Sequence, residues 1–224
     1  MAFQPGPEPS WNNEALNCAA PILLLGVSTQ FGRRKLLQVD PMFHAHIGKL
    51  IRIWRDEKGM QTAPTRGSLS PVAFGALMSQ LFMLGAETKG DARFRVAGAL
   101  ANDLHGENLT GRSFISLFRP YDRPRILAAM QEARARCAPL VIKASGVAAS
   151  GESIGLEIGL VPILGDAGVV ERLMGLYQPV SATARLSGET LSELHLREIV
   201  IVEDVARAPR PMLRLVVDNT RQVA

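Results

Sequence analysis

Between residues 43 and 54 the apolar positions recur at helical spacing: Phe43, Ile47, Leu50, Ile51 and Trp54 form one stripe. Asp40 ahead of Pro41 is a capping pair for the start of this helix, and Gly59 is a natural stop. Ser70-Pro71 repeats the start signal for a second, short helix. In "LFMLGAETKGDARFRVAGAL" two apolar stretches flank a polar, Gly-containing turn, which predicts a hairpin. In its second arm Phe94 and Val96 alternate with Arg93 and Arg95, the pattern of a strand with one wet face. Residues 101–118 read as short helical pieces broken by Gly106 and Gly111. "YDRPRILAAMQEARARC" then sets Ile126, Leu127, Met130, Ala133 and Cys137 on one face of a longer helix, with Asp122 as its cap and Pro124 in its first turn. "PLVIKASGVAAS", "SIGLEIGLVPIL" and "VVERLMGLYQPV" come next as three antiparallel strands joined by turns rich in Gly and polar residues.

The pattern weakens from about Ser181. "LSELHLREIVIVEDV" fits either a helix or a strand ending at "IVIV", and "PMLRLVVD" reads as another short strand. Three segments result: a flexible lead-in over 1–40, carrying Pro5, Pro7 and Pro9; a body over 41–180; and a C-terminal arm over 181–224, too short for a second core.

Composition narrows the function classes. The formal charge is +4, and the arginine clusters ("GRRK" at 32–35; Arg207, Arg210 and Arg214) are sparse. With two Trp and two Tyr there is no base-stacking surface, so nucleic acid is not the expected partner. The two cysteines, Cys18 and Cys137, form no CxxC and no metal spacing; Cys137 reads as a buried structural thiol of a reducing compartment. "AAPILLLGV" at 19–27 is too short to span a bilayer and sits badly for a signal peptide, so a cytoplasmic location is expected. His44 and His46 do not share the four-residue spacing of a helical metal pair and are expected to face solvent.

"GENLTGRS" at 106–113 imitates a phosphate-binding loop, with Arg112 where Lys belongs. Such a loop must leave a buried strand directly and open a long helix, so that its N–H groups converge on phosphate. Here "ANDLH" intervenes, and the segment after Ser113 ends near Pro120. Arginine's rigid fork does not replace a reaching ammonium. The glycines serve chain reversal, and Arg112 is expected to bind carbonyls or a carboxylate. No Ser/His/Asp set and no paired acids can be assembled, so no enzyme is expected.

"WRDEKG" (54–59), "RFRVAG" (93–98) and "GENLTGRS", followed by the longer helix and the three-strand meander, resemble a PAS domain, most closely the short stand-alone PAS proteins of alphaproteobacteria. The resemblance spans roughly residues 43 to 180. It implies an α+β fold: a five-stranded antiparallel sheet covered by short helices and one longer helix, with an N-terminal helix and a C-terminal extension. It further implies a cavity under the helices, whose candidate lining is Phe94, Val96, Leu104, Phe114, Leu127, Met130, Ile142, Leu156, Ile158, Met174 and Leu176, with Asn102, His105 and Ser113 able to orient a ligand. A haem relative needs a His on the long helix, and residues 122–137 hold none; a photoactive flavin relative needs a Cys within 101–120, and none occurs. Haem and photoactive flavin are therefore not expected, and the cofactor, if any, is unknown. His105 reads as a hydrogen-bonded histidine at a turn. The stripe Phe43, Ile47, Leu50, Ile51, Trp54 is a candidate dimer or partner face, with packing on the chain's own sheet an equal alternative. The expected function is a regulatory or sensory protein that binds a small ligand, docks a signalling partner, or does both. The alternatives are a ligand-free dimeric adaptor and an enzyme of unrecognised type.

Overall fold

A computed structural model describes residues 42–85 and 92–203. The Asp40-Pro41 cap, the 1–40 lead-in, the "ETKGD" turn and the "PMLRLVVD" strand lie outside the described residues. The first helix, α1 (Ala45–Lys58), is capped by His44, whose ring accepts from the His46 N–H. A short helix α2 (Pro71–Phe74) and a 3-10 stretch (Gly75–Gln80) lead into strand β1 (Leu81–Gly85). Then come β2 (Arg93–Ala97), α3 (Ala99–His105), a 3-10 turn (Ile115–Leu117) and α4 (Arg123–Ala135). Three long strands, β3 (Leu140–Ala148), β4 (Ser153–Leu164) and β5 (Val170–Pro179), form the meander. The expected arm supplies β6 (Leu191–Ile201).

All pairings are antiparallel, in the order β2-β1-β5-β4-β3-β6. Five strands match the sequence expectation. The sixth lies along β3 from Leu140↔Ile201 to Ala148↔Leu191 and sends Leu191, Leu194 and Leu196 into the same core. Residues after 181 are thus partly built into the sheet.

The sheet carries two apolar layers. Its inner face packs beneath α3, 115–117 and α4. Its outer face packs beneath α1, the 71–80 segment and Ala63. Val161, Ile163, Leu176 and the bare surface of Gly159 receive Ile47, Leu50, Ile51 and Trp54 of α1; a Cβ on Gly159 would meet Leu50 and Ile47 at 3.2 and 3.3 Å. The α1 stripe is therefore covered by the chain's own sheet, with Phe43 half-buried at its start. Of the two readings of the stripe, this is packing on the chain's own sheet: the apolar area that seats the helix is the same area a partner would have met.

Both sheet edges are partly sealed by one connection. Along β2, Phe94 N–H donates to the Arg112 carbonyl, Gly111 N–H to that of Phe94, and Phe114 N–H to that of Ala92. Along β6, Arg119 N–H donates to the Leu194 carbonyl and Leu196 N–H to the Asp122 carboxylate. The 111–122 segment thus satisfies backbone groups at opposite ends of the sheet, where unpaired edges would invite strand addition. Cys137 is buried, as expected.

Candidate functional site

The inner face is built around aromatic rings. Phe82 on β1 stands opposite Gly175 on β5. With no side chain there, the Phe82 ring lies across the strand, and a Cβ on Gly175 would fall 2.1 Å from it. Phe94 and Phe114 pack on Phe82 with centroid separations of 5.3 and 5.9 Å, Tyr177 at 6.4 Å, and Phe118 reaches Phe114 at 5.5 Å. These are the separations of favourable tilted and offset ring pairs. All five rings are buried.

One polar pair lies within this apolar layer. His105, the last residue of α3, sets Nε2 2.9 Å from the Tyr177 hydroxyl. Its ring is also hydrogen-bonded to the Leu191 backbone at the start of β6. A ring nitrogen donating to the Leu191 carbonyl leaves Nε2 to accept from Tyr177, which satisfies a neutral imidazole. Burial lowers the His105 pKa to about 4; the Leu191 bond opposes this, and the positive charge of Arg112 adds to it. Burial pushes the Tyr177 phenol above its ordinary value. Both groups are therefore neutral near pH 7, and the pair joins α3, β5 and β6 through hydrogen bonds without a buried charge.

Stability should therefore depend on pH. The unfolded chain protonates His105 near 6.5, while the folded chain resists until about 4. The unfolded state thus binds more protons in this window, and stability falls as pH falls. Between pH 7.5 and 5.5 this group should remove about 1 kcal/mol. Urea denaturation at the two values checks it: His105→Gln, which does not titrate, should abolish this part of the difference.

Several of the candidate lining residues meet here. Phe94, Leu104, Phe114, Met130, Ile142, Leu156 and Ile158 share the inner core, and His105 is joined to it through Tyr177. Four do not. Val96 is 60% exposed, because a bulge between Met83 and Leu84 in the β1–β2 register places Val96 opposite outward Met83 while Phe94 stands opposite inward Leu84. Met174 and Leu176 face the outer layer, since β5 turns Leu173, Gly175 and Tyr177 inward. Leu127 is half-buried; the core face of α4 is Ile126, Ala129, Met130 and Ala133. Asn102 and Ser113 are half-buried in the cover: Asn102 Oδ1 accepts the Leu109 N–H, and Ser113 lies in the backbone bridge to Arg93. Tyr177 and Phe82 went unnamed from sequence. The available signal was a tyrosine in an apolar strand, whose hydroxyl needs a buried partner.

Three further polar groups surround the core. Arg112 pairs with the Glu107 carboxylate at the surface, as the loop reading expects. His44 and His46 are half-buried, which corrects their solvent-facing reading: the His44 N–H donates to Glu157, and His46 Nδ1 lies 2.7 Å from Gln178 Oε1. Asp122 is buried but makes no side-chain cap to α4, another correction; it binds Arg119 Nε at 2.6 Å and the Leu196 N–H at 2.9 Å. Burial alone would raise its pKa, but the Arg119 hydrogen bond, the Leu196 N–H and the charges of Arg119 and His195 hold it below the ordinary carboxylate value. Among the described residues no three His, Cys, Asp or Glu side chains are grouped to hold a metal, and no helix is long and apolar enough to cross a membrane.

Residues 42–178 match the family model PAS_5, described as a PAS domain. No curated protein matches the chain. Among solved structures, a light-oxygen-voltage domain studied with a flavin analogue is 15% identical at a TM-score of 0.41, covering 54% of this chain and 93% of that one. The PAS domain of a Colwellia psychrerythraea protein is 14% identical at 0.38, covering 47% and 92%. The N-terminal domain of a diguanylate cyclase with PAS/PAC sensor from Marinobacter aquaeolei is 14% identical at 0.38, covering 45% and 94%.

Proposed function

Because the chain belongs to the PAS domain family, we propose that it is a non-enzymatic regulatory module that acts through protein contacts, its interior closed by its own side chains. The observation that carries this reading is the ring cluster. Phe82, Phe94, Phe114, Phe118 and Tyr177 occupy the space between sheet and covering helices where the family resemblance placed a ligand. A signal is then read at the surface and passed through flanking segments, as expected for a short stand-alone protein of the alphaproteobacterial type. Association into a homodimer belongs to this reading, through surface other than the covered α1 stripe.

Small-ligand sensing is the second reading, and the His105–Tyr177 pair favours it. A polar group entering the layer would find one donor-acceptor pair there to exchange with. Native mass spectrometry with an absorption spectrum separates the two. The closed interior predicts a mass equal to the chain or its dimer and no absorption beyond that of aromatic side chains. Additional mass that is retained natively and lost on denaturation would replace it with the sensing reading.

A further inference from the structure

The inner face of β6 is not covered evenly. Its first half is buried beneath α3 and the 115–122 connection, through Leu191, Leu194 and Leu196. Beyond Leu196 the strand runs beside α4, and the two elements leave a groove of about 460 Å³ between them. Ile199 and Ile201 form one wall. Arg125, Ala128, Ala129, Glu132 and Arg136 form the other. These helical positions recur at three- and four-residue steps, so they lie on one face of α4. The two alanines keep the floor low and apolar, and the charged residues stand along the rim.

The chain itself leaves the sheet at one end of this groove. Glu203, two residues past β6, is ion-paired with Arg136, and Arg136 with Glu132. Residues 204–224 continue from that point. Residues 204–210 ("DVARAPR") can reach about 23 Å when extended. The groove runs about 17 Å along α4 from Arg136 to Arg125. The next residues, 211–217, read "PMLRLVV". In an extended conformation Leu213, Leu215 and Val217 share one side, while Arg214 and Asp218 share the other.

We propose that this groove is the seat of the chain's own residues 211–217. They return antiparallel to β6 with Leu213, Leu215 and Val217 on Ile199, Ile201 and the two alanines. The charge order supports this direction. A strand running from the Arg136 end sets Arg214 beside Glu132 and Asp218 beside Arg125. Arg214 and Asp218 are about 13 Å apart along an extended chain, and Glu132 and Arg125 about 10 Å apart along the helix. The opposite direction would set like charges together. A groove filled in this way is closed by the protein's own C-terminal segment, and a partner peptide of the same pattern would have to displace it.

Hydrogen exchange on the full chain tests this. Amides of residues 213–217 should exchange at least about tenfold more slowly than an unstructured chain. Glu132→Arg and Arg214→Glu should each remove the protection, and the double variant should restore it. Ala128→Arg, at an exposed position in the groove, should remove it while leaving β3 and β4 protected. Exchange at unstructured rates in the unaltered protein would overturn the proposal, as would protection that survives all three single variants or fails to return in the double. Protection lost on dilution would assign the groove to a second copy's segment and overturn the intramolecular seat.

Discussion

Replacing Trp54 by alanine is expected to lower the folding stability by about 4 kcal/mol, read as a shift of the urea midpoint. The indole is 1% exposed and lies in the outer layer with Ile47, Leu50, Ile51, Val161 and Ile163. Its removal leaves a cavity that α1 cannot close without leaving the sheet. The indole N–H also donates to the Pro162 carbonyl at 2.7 Å, which explains how a proline sits inside a central strand. On one side Pro162 is paired with Leu173 of β5; on the other, the β3 register stops at Leu160. There its missing N–H costs no ladder bond, and the carbonyl is answered by Trp54. Trp54→Phe keeps most of the packing but orphans that carbonyl, and should cost about 1–2 kcal/mol. Neither substitution should change how the midpoint depends on protein concentration, because the α1 stripe is covered within one chain. A concentration-dependent midpoint for the unaltered protein that vanishes in Trp54→Ala would return the stripe to the role of a dimer face.

The elements legible in the sequence are those whose apolar spacing is undisturbed. The α1 stripe and the α4 face keep the helical period, and the turn signals of the meander sit where the chain reverses. The elements that misled are locally irregular. The inward residues of β6 are Leu191, Leu194, Leu196, Ile199 and Ile201, because two register shifts against β3 each insert an extra residue. Steps of three and two alternate, so the segment resembles a helix as much as a strand. The bulge that turns Val96 outward acts in the same way. On β5 the difficulty is different: both faces are apolar, and alternation cannot say which one meets which layer. Gly175 decides it, by admitting Phe82, and that is a relation between strands. His105 was legible as an unusual polar residue, but its partner Tyr177 lies 72 positions away.

Asp122 holds the latch between the covering segment and β6, and Asp122→Ala should cost about 3 kcal/mol. The carboxylate is 1% exposed and answers the buried Leu196 N–H as well as Arg119. Alanine leaves that N–H without an acceptor in a place water does not reach easily, and it removes a charge-assisted bond. Asparagine retains an acceptor and should cost about 1 kcal/mol. The loss should be local in character: in Asp122→Ala, amide exchange should quicken along β6 and the 118–122 turn before it does in β4 and β5. Acid denaturation gives an independent sign. The Asp122 pKa is held below its unfolded value of 3.8, so its contribution is fully present above that value and is lost as pH falls through the lower, folded one. His105 acts between about 4 and 6.5, in a separate window. Asp122→Ala should therefore flatten the stability profile only at its acid end, and His105→Gln only in the milder range. A profile in which either substitution flattened both windows would mean that the two joints to β6 are one coupled network instead of two independent attachments.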